Sequence, residues 1–535
     1  MEPLFDPRLP YPSLRQPVLA DAVVATSQPL AAAAGLRMLE LGGNAVDATI
    51  ATAMALTIVE PTSNGLGSDA FALVWDGSEL QGLNASGRSP AALAAERFAG
   101  LERMPERGWD AVTVPGAVSA WIALWKRFGS LTLETLAGPA VRYAEEGFRV
   151  GPMTARGWAR AVDVLGEQPG FAEAFLPEGR APQAGERFRL PAAGASLRRI
   201  AETEGEAFYR GDLAERIAGF ARETGGLLTE ADLASHEPTW TSSIQRAFAG
   251  AEVHEIPPNG QGIAALMALG LLDHTHLADV DPDSADALHL EIEAMKLAFA
   301  DLYRHVADPD SMQLSPADLL DDGYLAERAK LIDPRAAATA APGVPARGGT
   351  VYLCAADADG RMVSYIQSNF QGFGSGVVVP GTGISLQNRG AGFVLEPGHP
   401  NRVAGGKRPF HTIIPGFVTR DGQALAAFGV MGGAMQAQGH LQVMLRTLLH
   451  GQNPQAAIDA PRWQVLPDGA TIAIERGYEA SVYHDLEERG HVVLRDPRLA
   501  TGDRFFGGGQ AAWRLAGGAY LGASDPRREG QAVGR

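Results

Sequence analysis

Cysteine is almost absent from this sequence: Cys354 is the only one among 535 residues. A disulfide needs two cysteines, so no bridge within the chain can stabilise the fold. A chain of this length can bury most of the surface that its unfolded state would expose, and it needs no such bridge. A reducing compartment and secretion without bridges are both compatible with this composition.

Lysine is also scarce, since only 4 of the 45 basic residues are lysines and the rest are arginines. The basic residues form no cluster, and the net charge is −17. Proteins that bind nucleic acid need clustered Lys and Arg to contact the phosphates. The sequence therefore predicts no nucleic-acid partner, and we interpret the acidity as favouring solubility.

Long hydrophobic runs are missing as well. No segment offers the roughly 20 apolar residues that a membrane helix requires. The first residues, Met-Glu-Pro-Leu-Phe-Asp-Pro-Arg-Leu-Pro, lack the basic region and apolar core of a secretory signal. We therefore expect no membrane partner and a cytoplasmic location.

The first recognisable elements are two consecutive helices, Pro29–Leu41 and Ala45–Val59. Asn44 is placed to cap the second helix, with Asp47 in its first turn. This second helix is apolar on nearly every face, which is typical of a buried helix. Strands are expected on either side of the pair, at Ala20–Thr26 and Ala70–Trp75.

The pattern changes near the middle of the chain. Helical periodicity dominates residues 117–332, and the segment 335–349, with two prolines and few core-forming side chains, predicts a solvated, mobile linker. A β-hairpin is then expected from Thr350–Asp357 and Met362–Gln367 around an Asp-Gly turn. Further elements are expected as strands at Gly376–Val379, Leu425–Val430 and Thr471–Ile474, and as a helix at Gln436–Leu449.

A candidate nucleophile lies where the linker meets this hairpin, at Gly349-Thr350. A threonine hydroxyl is a poor nucleophile unless a base accepts its proton, and the residue's own free α-amine can act as that base. Thr350 must then become N-terminal by scission of the peptide bond that precedes it. A preceding glycine leaves room for the attack on its carbonyl. The same dipeptide also fits an ordinary threonine at the start of a strand.

Several sequence blocks in a fixed order favour the catalytic interpretation. They are Gly42-Gly43-Asn44-Ala45-Val46-Asp47-Ala48, Glu60-Pro61, Gly116, Pro257-Pro258, Glu293-Ala294-x-Lys296-x-Ala298-Phe299-Ala300-Asp301, Gly349-Thr350, Phe373-Gly374-Ser375-Gly376, Gly432-Gly433 and Ala460-Pro461-Arg462. Through these blocks the chain resembles the γ-glutamyltransferases, a family of N-terminal-nucleophile hydrolases. The resemblance covers nearly the whole sequence.

The resemblance implies the fold and the processing of the chain. The fold would be an α+β four-layer αββα sandwich with two stacked antiparallel sheets. The precursor would cut itself between Gly349 and Thr350 into a large subunit, residues 1–349, and a small subunit, residues 350–535. The two subunits would stay together as a heterodimer that could assemble further. No cofactor or metal would be needed.

The resemblance also assigns the reaction, hydrolysis of an amide C–N bond. Thr350 would be the nucleophile, and Ser368 falls where the family has a threonine hydroxyl beside it. The backbone N–H groups of Gly432 and Gly433 would hold the oxyanion of the tetrahedral intermediate. Glycines suit this role because their backbone can approach the substrate closely.

The sequence departs from the family where the substrate would be bound. Counting from Thr350, Phe370 replaces an asparagine, Arg389 a glutamine and Gly392 an aspartate. His411 and Thr412 replace a pair of serines. The aspartate would pair with the ammonium of a γ-glutamyl group, and a buried ammonium needs such a partner. Glutathione is therefore not expected to be the preferred substrate.

The residues gained are cationic or neutral donors: Arg389, His411 and, in a loop before a proline, Arg88. In that loop Ser86 is an alternative match to the family's carboxylate-binding arginine. An arginine can bind a carboxylate through two parallel hydrogen bonds. The pocket would then favour a small acid that carries an amide.

Other blocks look like the oxamate amidohydrolase branch of the family. They are Ser364-Tyr365-Ile366-Gln367-Ser368, Gly374-Ser375-Gly376-Val377-Val378, Gln387-Asn388-Arg389-Gly390 and Pro258-Asn259-Gly260-Gln261-Gly262. Oxamate has one amide, one carboxylate and no ammonium, so we predict hydrolysis of oxamate or a similar small amide acid. Two alternatives remain: a glutathione hydrolase or γ-glutamyl transferase with the same fold, and an unprocessed protein that only binds ligands.

Overall fold

A computed structural model describes residues 15–338, 349–495 and 504–535. Its centre is a pair of antiparallel β-sheets, each with seven strands in the described residues. The first sheet has the order β21 (Gln531–Gly534), β2 (Val23–Thr26), β10 (Gly349–Ala356), β11 (Met362–Phe370), β3 (Asp69–Trp75), β4 (Leu80–Asn84) and β7 (Thr239–Thr241). The second has the order β1 (Val18–Ala20), β20 (Tyr520–Ser524), β19 (Gly508–Arg514), β15 (Gln423–Met431), β14 (Gly416–Arg420), β9 (Ala251–Glu255) and β8 (Ile244–Phe248).

Short strands pair outside the two sheets. They are β5 (Phe148–Arg149) with β6 (Arg187–Phe188), β12 (Val378–Val379) with β13 (Ile384–Ser385), and β16 (Trp463–Val465) with β17 (Thr471–Ile474) and β18 (Val492–Val493).

Helices cover both outer faces of the paired sheets. The first group is α1 (Pro29–Glu40), α2 (Ala45–Val59), α3 (Ala117–Phe128), α4 (Leu133–Glu146), α5 (Pro152–Leu165), α6 (Phe171–Phe175), α7 (Pro191–Glu202), α8 (Glu206–Arg210), α9 (Asp212–Thr224) and α10 (Glu230–Ala234). The second is α11 (Gly262–Leu272), α12 (Ala285–His305), α13 (Pro316–Leu319), α14 (Asp322–Ala329), α15 (Met435–Met444), α16 (Pro454–Asp459) and α17 (Ala480–Glu488).

The side chains of strand β10 show how the layers are stacked, because successive side chains of a strand point to opposite faces of its sheet. Val351 and Leu353 belong to the hydrophobic core shared with α2, whereas Tyr352 and Cys354 belong to the core shared with the second sheet. The Tyr352 ring lies against Gly429 of β15, where a larger residue would clash. Helix α15 packs on the far side of β15. The predicted four-layer αββα sandwich is thus confirmed.

Local sequence signals give accurate bounds for the helix beneath β10. Asn44 caps α2 by accepting from the N–H groups of Val46 and Asp47, and the Asp47 carboxylate accepts from the Asn44 N–H. All residues of this helix are buried, as expected for a helix apolar on every side.

The single strand expected at Ala20–Thr26 is wrong, because two strands occupy this segment. The chain turns at Asp21-Ala22, so that β1 pairs with β20 in the second sheet while β2 pairs with β10 and β21 in the first. The segment therefore joins the two sheets. A second difference is a π-helical segment, Leu445–Leu449, that continues α15.

The predicted linker, 335–349, is mostly outside the described residues. Its first residues are held, since the N–H of Ala337 donates to the Arg489 carbonyl at 2.7 Å and that of Ala338 to Glu293 Oε2 at 2.9 Å. Gly349 is not part of a solvated segment, because it is buried as the first residue of β10. Within the described ranges, no helix combines the length and apolarity needed to cross a membrane.

Candidate active site

Thr350 lies at an irregular position in the first sheet. Gly349 is paired with Phe370 of β11, and the register shifts between Gly349 and Val351. The extra residue is on β11, where Ser368 and Asn369 lie opposite Thr350, and only 4 % of the Thr350 surface is exposed. A bulge redirects a side chain out of the regular ladder, and bulges are frequent beside active sites.

The Thr350 hydroxyl is part of a short hydrogen-bond chain. Its Oγ1 lies 3.1 Å from the Ser368 hydroxyl, which also donates to the Gly349 carbonyl at 2.7 Å. The Ser368 oxygen accepts from the Phe370 N–H at 2.7 Å. With its one proton given to the carbonyl, Ser368 accepts from Thr350. The hydroxyl of Thr350 and the carbonyl of Gly349 are therefore joined through one serine.

The glycine pair lies in the turn between β15 and α15. Gly432 has φ +137° and Gly433 φ +65°, values that favour glycine. The Gly433 carbonyl accepts from the side-chain amide of Gln261 at 2.7 Å. Gln436, in the first turn of α15, reaches Thr350 Oγ1 at 3.5 Å and accepts from the Ile414 N–H at 3.1 Å. The turn thus begins the helix that contacts Thr350.

Arg389 is fully buried near this group. One of its nitrogens, Nη1, donates to Thr412 Oγ1 at 2.9 Å, and the guanidinium lies 4.1 Å from the centre of the Phe370 ring. Its other nitrogens, Nε and Nη2, have no hydrogen-bond partner among the described residues. Burial lowers the pKa of Arg389 to about 9, so the group is charged at neutral pH. The Asp69 carboxylate attracts this guanidinium and opposes the fall in its pKa.

His411 and Asp69 form a second buried pair. His411 Nε2 lies 3.1 Å from Asp69 Oδ2, and the His411 ring packs edge-on against Phe71. Burial raises the pKa of Asp69 to about 7. Burial, together with Arg389 and Arg408, holds the pKa of His411 well below its usual value. The imidazole is therefore neutral, and its Nδ1 has no partner within the described part of the chain.

Arg88 has partners of its own. Its guanidinium pairs with Asp308 at 3.0 Å and donates to the Gly406 carbonyl at 3.0 Å, and 44 % of the side chain is exposed. Ser86, the alternative match, is buried and donates to Asn84 Oδ1 at 2.7 Å. The role of Arg88 in binding substrate stays a prediction.

Three residues of this region were not identified from the sequence: Asp69, Gln261 and Gln436. Gln261 lies in the block Pro258–Gly262, whose pattern by itself indicates no chemical role. Asp69 opens the buried strand β3, where a carboxylate is unusual. That unusual position was a usable signal, whereas the approach of Gln436 to Thr350 depends on the fold.

One group of side chains has the composition of a metal site. Ligand atoms of His289, Glu293 and His491 lie within 4.8 Å of one another. However, Lys296 Nζ lies 2.8 Å from Glu293 Oε1, and His491 Nε2 lies 2.8 Å from His289 Nδ1. Glu293 is thus paired with an ammonium and the two imidazoles are hydrogen-bonded to each other, so the group is a hydrogen-bonded network.

The αββα sandwich of two stacked antiparallel sheets places the chain in the class of the N-terminal-nucleophile hydrolases. The family model for γ-glutamyltranspeptidase matches residues 31–535. The chain belongs to the γ-glutamyltranspeptidase family. Its members include proenzymes that cleave themselves, and this chain is a self-cleaving hydrolase of amide C–N bonds. The predicted family, fold and enzyme class are thus confirmed.

Three proteins similar to this chain have names that indicate different activities. The chain is 35 % identical to the glutathione hydrolase-like YwrD proenzyme of Bacillus subtilis over 94 % of this chain and 97 % of that protein. It is 35 % identical to the oxamate amidohydrolase proenzyme of Klebsiella pneumoniae over the same shares, 94 % and 97 %. The crystal structure of a cephalosporin acylase from Bacillus halodurans superposes with a TM-score of 0.94 at 48 % identity, covering 99 % of both chains. Three different amide substrates are therefore named among similar proteins.

Proposed function

We propose that the chain cuts itself at Gly349-Thr350 and then hydrolyses the amide of a small carboxylic acid such as oxamate. The observation that carries the cleavage step is the contact of Ser368 with both the Thr350 hydroxyl and the Gly349 carbonyl. The hydrogen bond from Ser368 polarises the carbonyl that Thr350 would attack.

Self-cleavage follows from that arrangement in two steps. The Thr350 hydroxyl oxygen adds to the Gly349 carbonyl carbon, and the C–N bond breaks to leave an ester and a free α-amine. Water then hydrolyses the ester, which returns the hydroxyl to Thr350 and leaves a carboxylate on Gly349. The mature small subunit starts at Thr350, whose amine accepts the hydroxyl proton in later turnovers. In those turnovers Gly432 and Gly433 would hold the oxyanion that forms when Thr350 attacks the substrate amide.

The substrate class follows from Arg389. Its unused Nε and Nη2 donors are arranged to bind a carboxylate, and Thr412 and the Phe370 ring hold the guanidinium in place. The position of Gly392 offers no carboxylate for an ammonium. A monoamide of a small dicarboxylic acid meets these requirements better than a γ-glutamyl group does.

A second candidate substrate is the side-chain amide of a cephalosporin that carries a carboxyacyl group. The 48 % identity to a cephalosporin acylase favours it. The same Arg389 would bind the acyl carboxylate, so the two candidates differ in the leaving amine, which is ammonia in one and an aminocephem in the other. Hydrolysis of glutathione remains the third candidate.

The test combines a denaturing gel with an amide panel. We expect two bands from the wild-type protein, one band and no hydrolysis from Thr350→Ala, and two bands from Thr382→Ala, which alters a buried threonine in the same half of the chain. Active wild-type protein that stays a single chain would contradict the mechanism. An unprocessed, inactive wild-type protein would contradict it as well.

Arg389→Lys tests the substrate class. Lysine keeps the charge but loses the two parallel donors, so kcat/KM for oxamate should fall by about 10- to 100-fold while self-cleavage is unchanged. The assay would measure ammonia released from oxamate, glutamate released from a γ-glutamyl anilide and the aminocephem released from a carboxyacyl cephalosporin. If the γ-glutamyl anilide is the best substrate and is insensitive to Arg389→Lys, the proposed substrate class is wrong.

A further inference from the structure

The side chain of Gln261 lies between the two halves of the proposed substrate site. Its Nε2 donates to the Gly433 carbonyl at 2.7 Å and to the Thr412 carbonyl at 2.5 Å. A primary amide has two N–H donors, and each carbonyl takes one of them. The residue is fully buried, so no water competes for these bonds. Gln261 therefore ties the glycine turn to the segment that contains Thr412.

The backbone around Gln261 holds the side chain in this position. The Gln261 N–H donates to the His411 carbonyl at 3.0 Å, and the His411 N–H donates to the Asn259 carbonyl at 2.9 Å. The Asn259 side chain also donates to the Pro409 carbonyl at 2.7 Å. The segment preceding α11 is thus fastened to residues 409–412 at several points.

Thr412 extends the connection to Arg389, the proposed carboxylate-binding residue. Its hydroxyl accepts from Arg389 Nη1 while its carbonyl accepts from Gln261. The Thr412 and Gly433 carbonyl oxygens cannot be farther apart than the sum of the two Gln261 bonds. One path of hydrogen bonds therefore runs from the Arg389 guanidinium through Thr412 and Gln261 to the glycine turn.

We propose that Gln261 is a positioning residue that fixes the distance between Arg389 and the Gly432-Gly433 turn, and that it thereby selects the length of the substrate's acyl chain. The inference rests on the proposed function. With the carboxylate held by Arg389 and the scissile carbonyl held at the turn, only one number of intervening carbons fits. A displacement of about 1 Å from the reactive geometry can reduce the rate roughly a hundredfold.

The experiment compares Gln261→Met, which keeps the size of the side chain but has no amide, with Gln442→Met. Gln442 is also buried, and its amide donates to the Gln438 and Trp463 carbonyls at 3.0 Å each, outside the proposed site. Both variants would be assayed for self-cleavage, thermal midpoint, and kcat and KM on the monoamides of oxalic, malonic, succinic and glutaric acids.

We expect a sharp optimum for one chain length in the wild type and in Gln442→Met. In Gln261→Met, kcat/KM for the preferred amide should fall by about 30- to 100-fold while that for the next longer homologues falls less than about threefold. Self-cleavage of Gln261→Met should be complete, because the donor to the Gly349 carbonyl is Ser368.

Other outcomes separate the two proposals. A uniform loss over all chain lengths, an unchanged profile, or failure of Gln261→Met to cut itself would overturn the role of Gln261 and leave the proposed substrate class standing. A wild-type protein that hydrolyses none of the monoamides would overturn the substrate class itself, and it would be recognised without any variant.

Discussion

At the scale of single residues, Ser368 is the most informative position. Its hydroxyl meets the proposed nucleophile, the carbonyl of the preceding residue and the Phe370 N–H. Each hydrogen-bonding group of the serine is used, so the serine cannot rotate without losing a contact. All three contacts of this hydroxyl are thus with residues that surround the proposed cleavage site.

Removal of this hydroxyl should slow self-cleavage. Ser368→Ala deletes the donor to the Gly349 carbonyl, and loss of one such donor reduces the rate of an acyl transfer by about 10²- to 10³-fold. The appearance of the two subunits over time, followed on a denaturing gel, measures this rate.

Ser364→Ala is the matched control for that experiment. Ser364 is also buried on β11, and its hydroxyl lies 2.7 Å from the Tyr352 hydroxyl, away from Gly349. Its removal should leave the cleavage rate unchanged. Equal slowing in both variants would show that the strand, and not the Ser368 hydroxyl, limits the reaction.

At the scale of elements, helix α12 has two buried glutamates that differ in their partners. Glu293 is paired with Lys296 at 2.8 Å. Glu291 has only the indole N–H of Trp463, at 2.7 Å, as a hydrogen-bond partner within the described residues. Burial accordingly raises the pKa of Glu291 from 4.5 to about 7.

This difference predicts a pH-dependent effect of Glu291→Gln. The folded protein binds a proton at Glu291 that the unfolded chain releases near pH 4.5, so the stability contributed by this group is lost as pH rises through about 7. Glutamine stays neutral and can still accept from Trp463. The thermal midpoints should therefore agree at about pH 4, where both states hold the proton, and the variant should be more stable at pH 8.5, by on the order of 2 kcal/mol.

The companion variant Glu293→Gln should behave differently. It leaves the buried Lys296 ammonium without its carboxylate, which is destabilising across the whole range. The measurement is the thermal midpoint of both variants at several pH values. A Glu291→Gln protein whose midpoint tracks the wild type from pH 5 to 8.5 would contradict the prediction.

Elements also show what the sequence could and could not predict. The bounds of α2 agree with the sequence pattern, because capping and a run of apolar residues depend on neighbours within a few positions. The division of Ala20–Thr26 between two sheets was missed, since it depends on strands near residues 350 and 520. The residues of one strand do not indicate which distant strand it will pair with.

The residues of the proposed site also fall into some that the sequence predicted and some that it did not. The family motifs predicted Thr350, Ser368 and the glycine pair as site residues, because these residues stand at fixed places in recognisable blocks. Gln261 and Asp69 were missed, because their relevance depends on contacts with residues more than a hundred positions away. The roles of all these residues stay predictions until the variants are measured.

At the scale of the whole molecule, the two predicted subunits are interleaved. In the first sheet, β11, β21 and all of β10 except Gly349 come from residues 350–535, while β2, β3, β4 and β7 come from residues 1–349. Strand β10 pairs with β2 on one side, and β11 pairs with β3 on the other. Scission before Thr350 therefore leaves hydrogen-bonded ladders that join the two products.

The mature subunits should not separate under native conditions. Size-exclusion chromatography with light scattering should give the full mass of 56.3 kDa, or a multiple of it, for a sample that is completely split on a denaturing gel. Dilution should not change the result, because separation would expose the edges of both sheets and the core between them. Recovery of a free small subunit on dilution would contradict this arrangement.

Because the two predicted subunits are interleaved, we expect the chain to fold before scission and to refold poorly after it. Before scission, strands β2 and β10 are parts of one polymer, so each meets the other at the high effective concentration of a tethered pair. Afterwards the same pairing would be an encounter between two molecules that depends on how much protein is present. Denatured mature enzyme is therefore expected to renature poorly in dilute solution, whereas an uncut Thr350→Ala precursor should regain its structure independently of concentration.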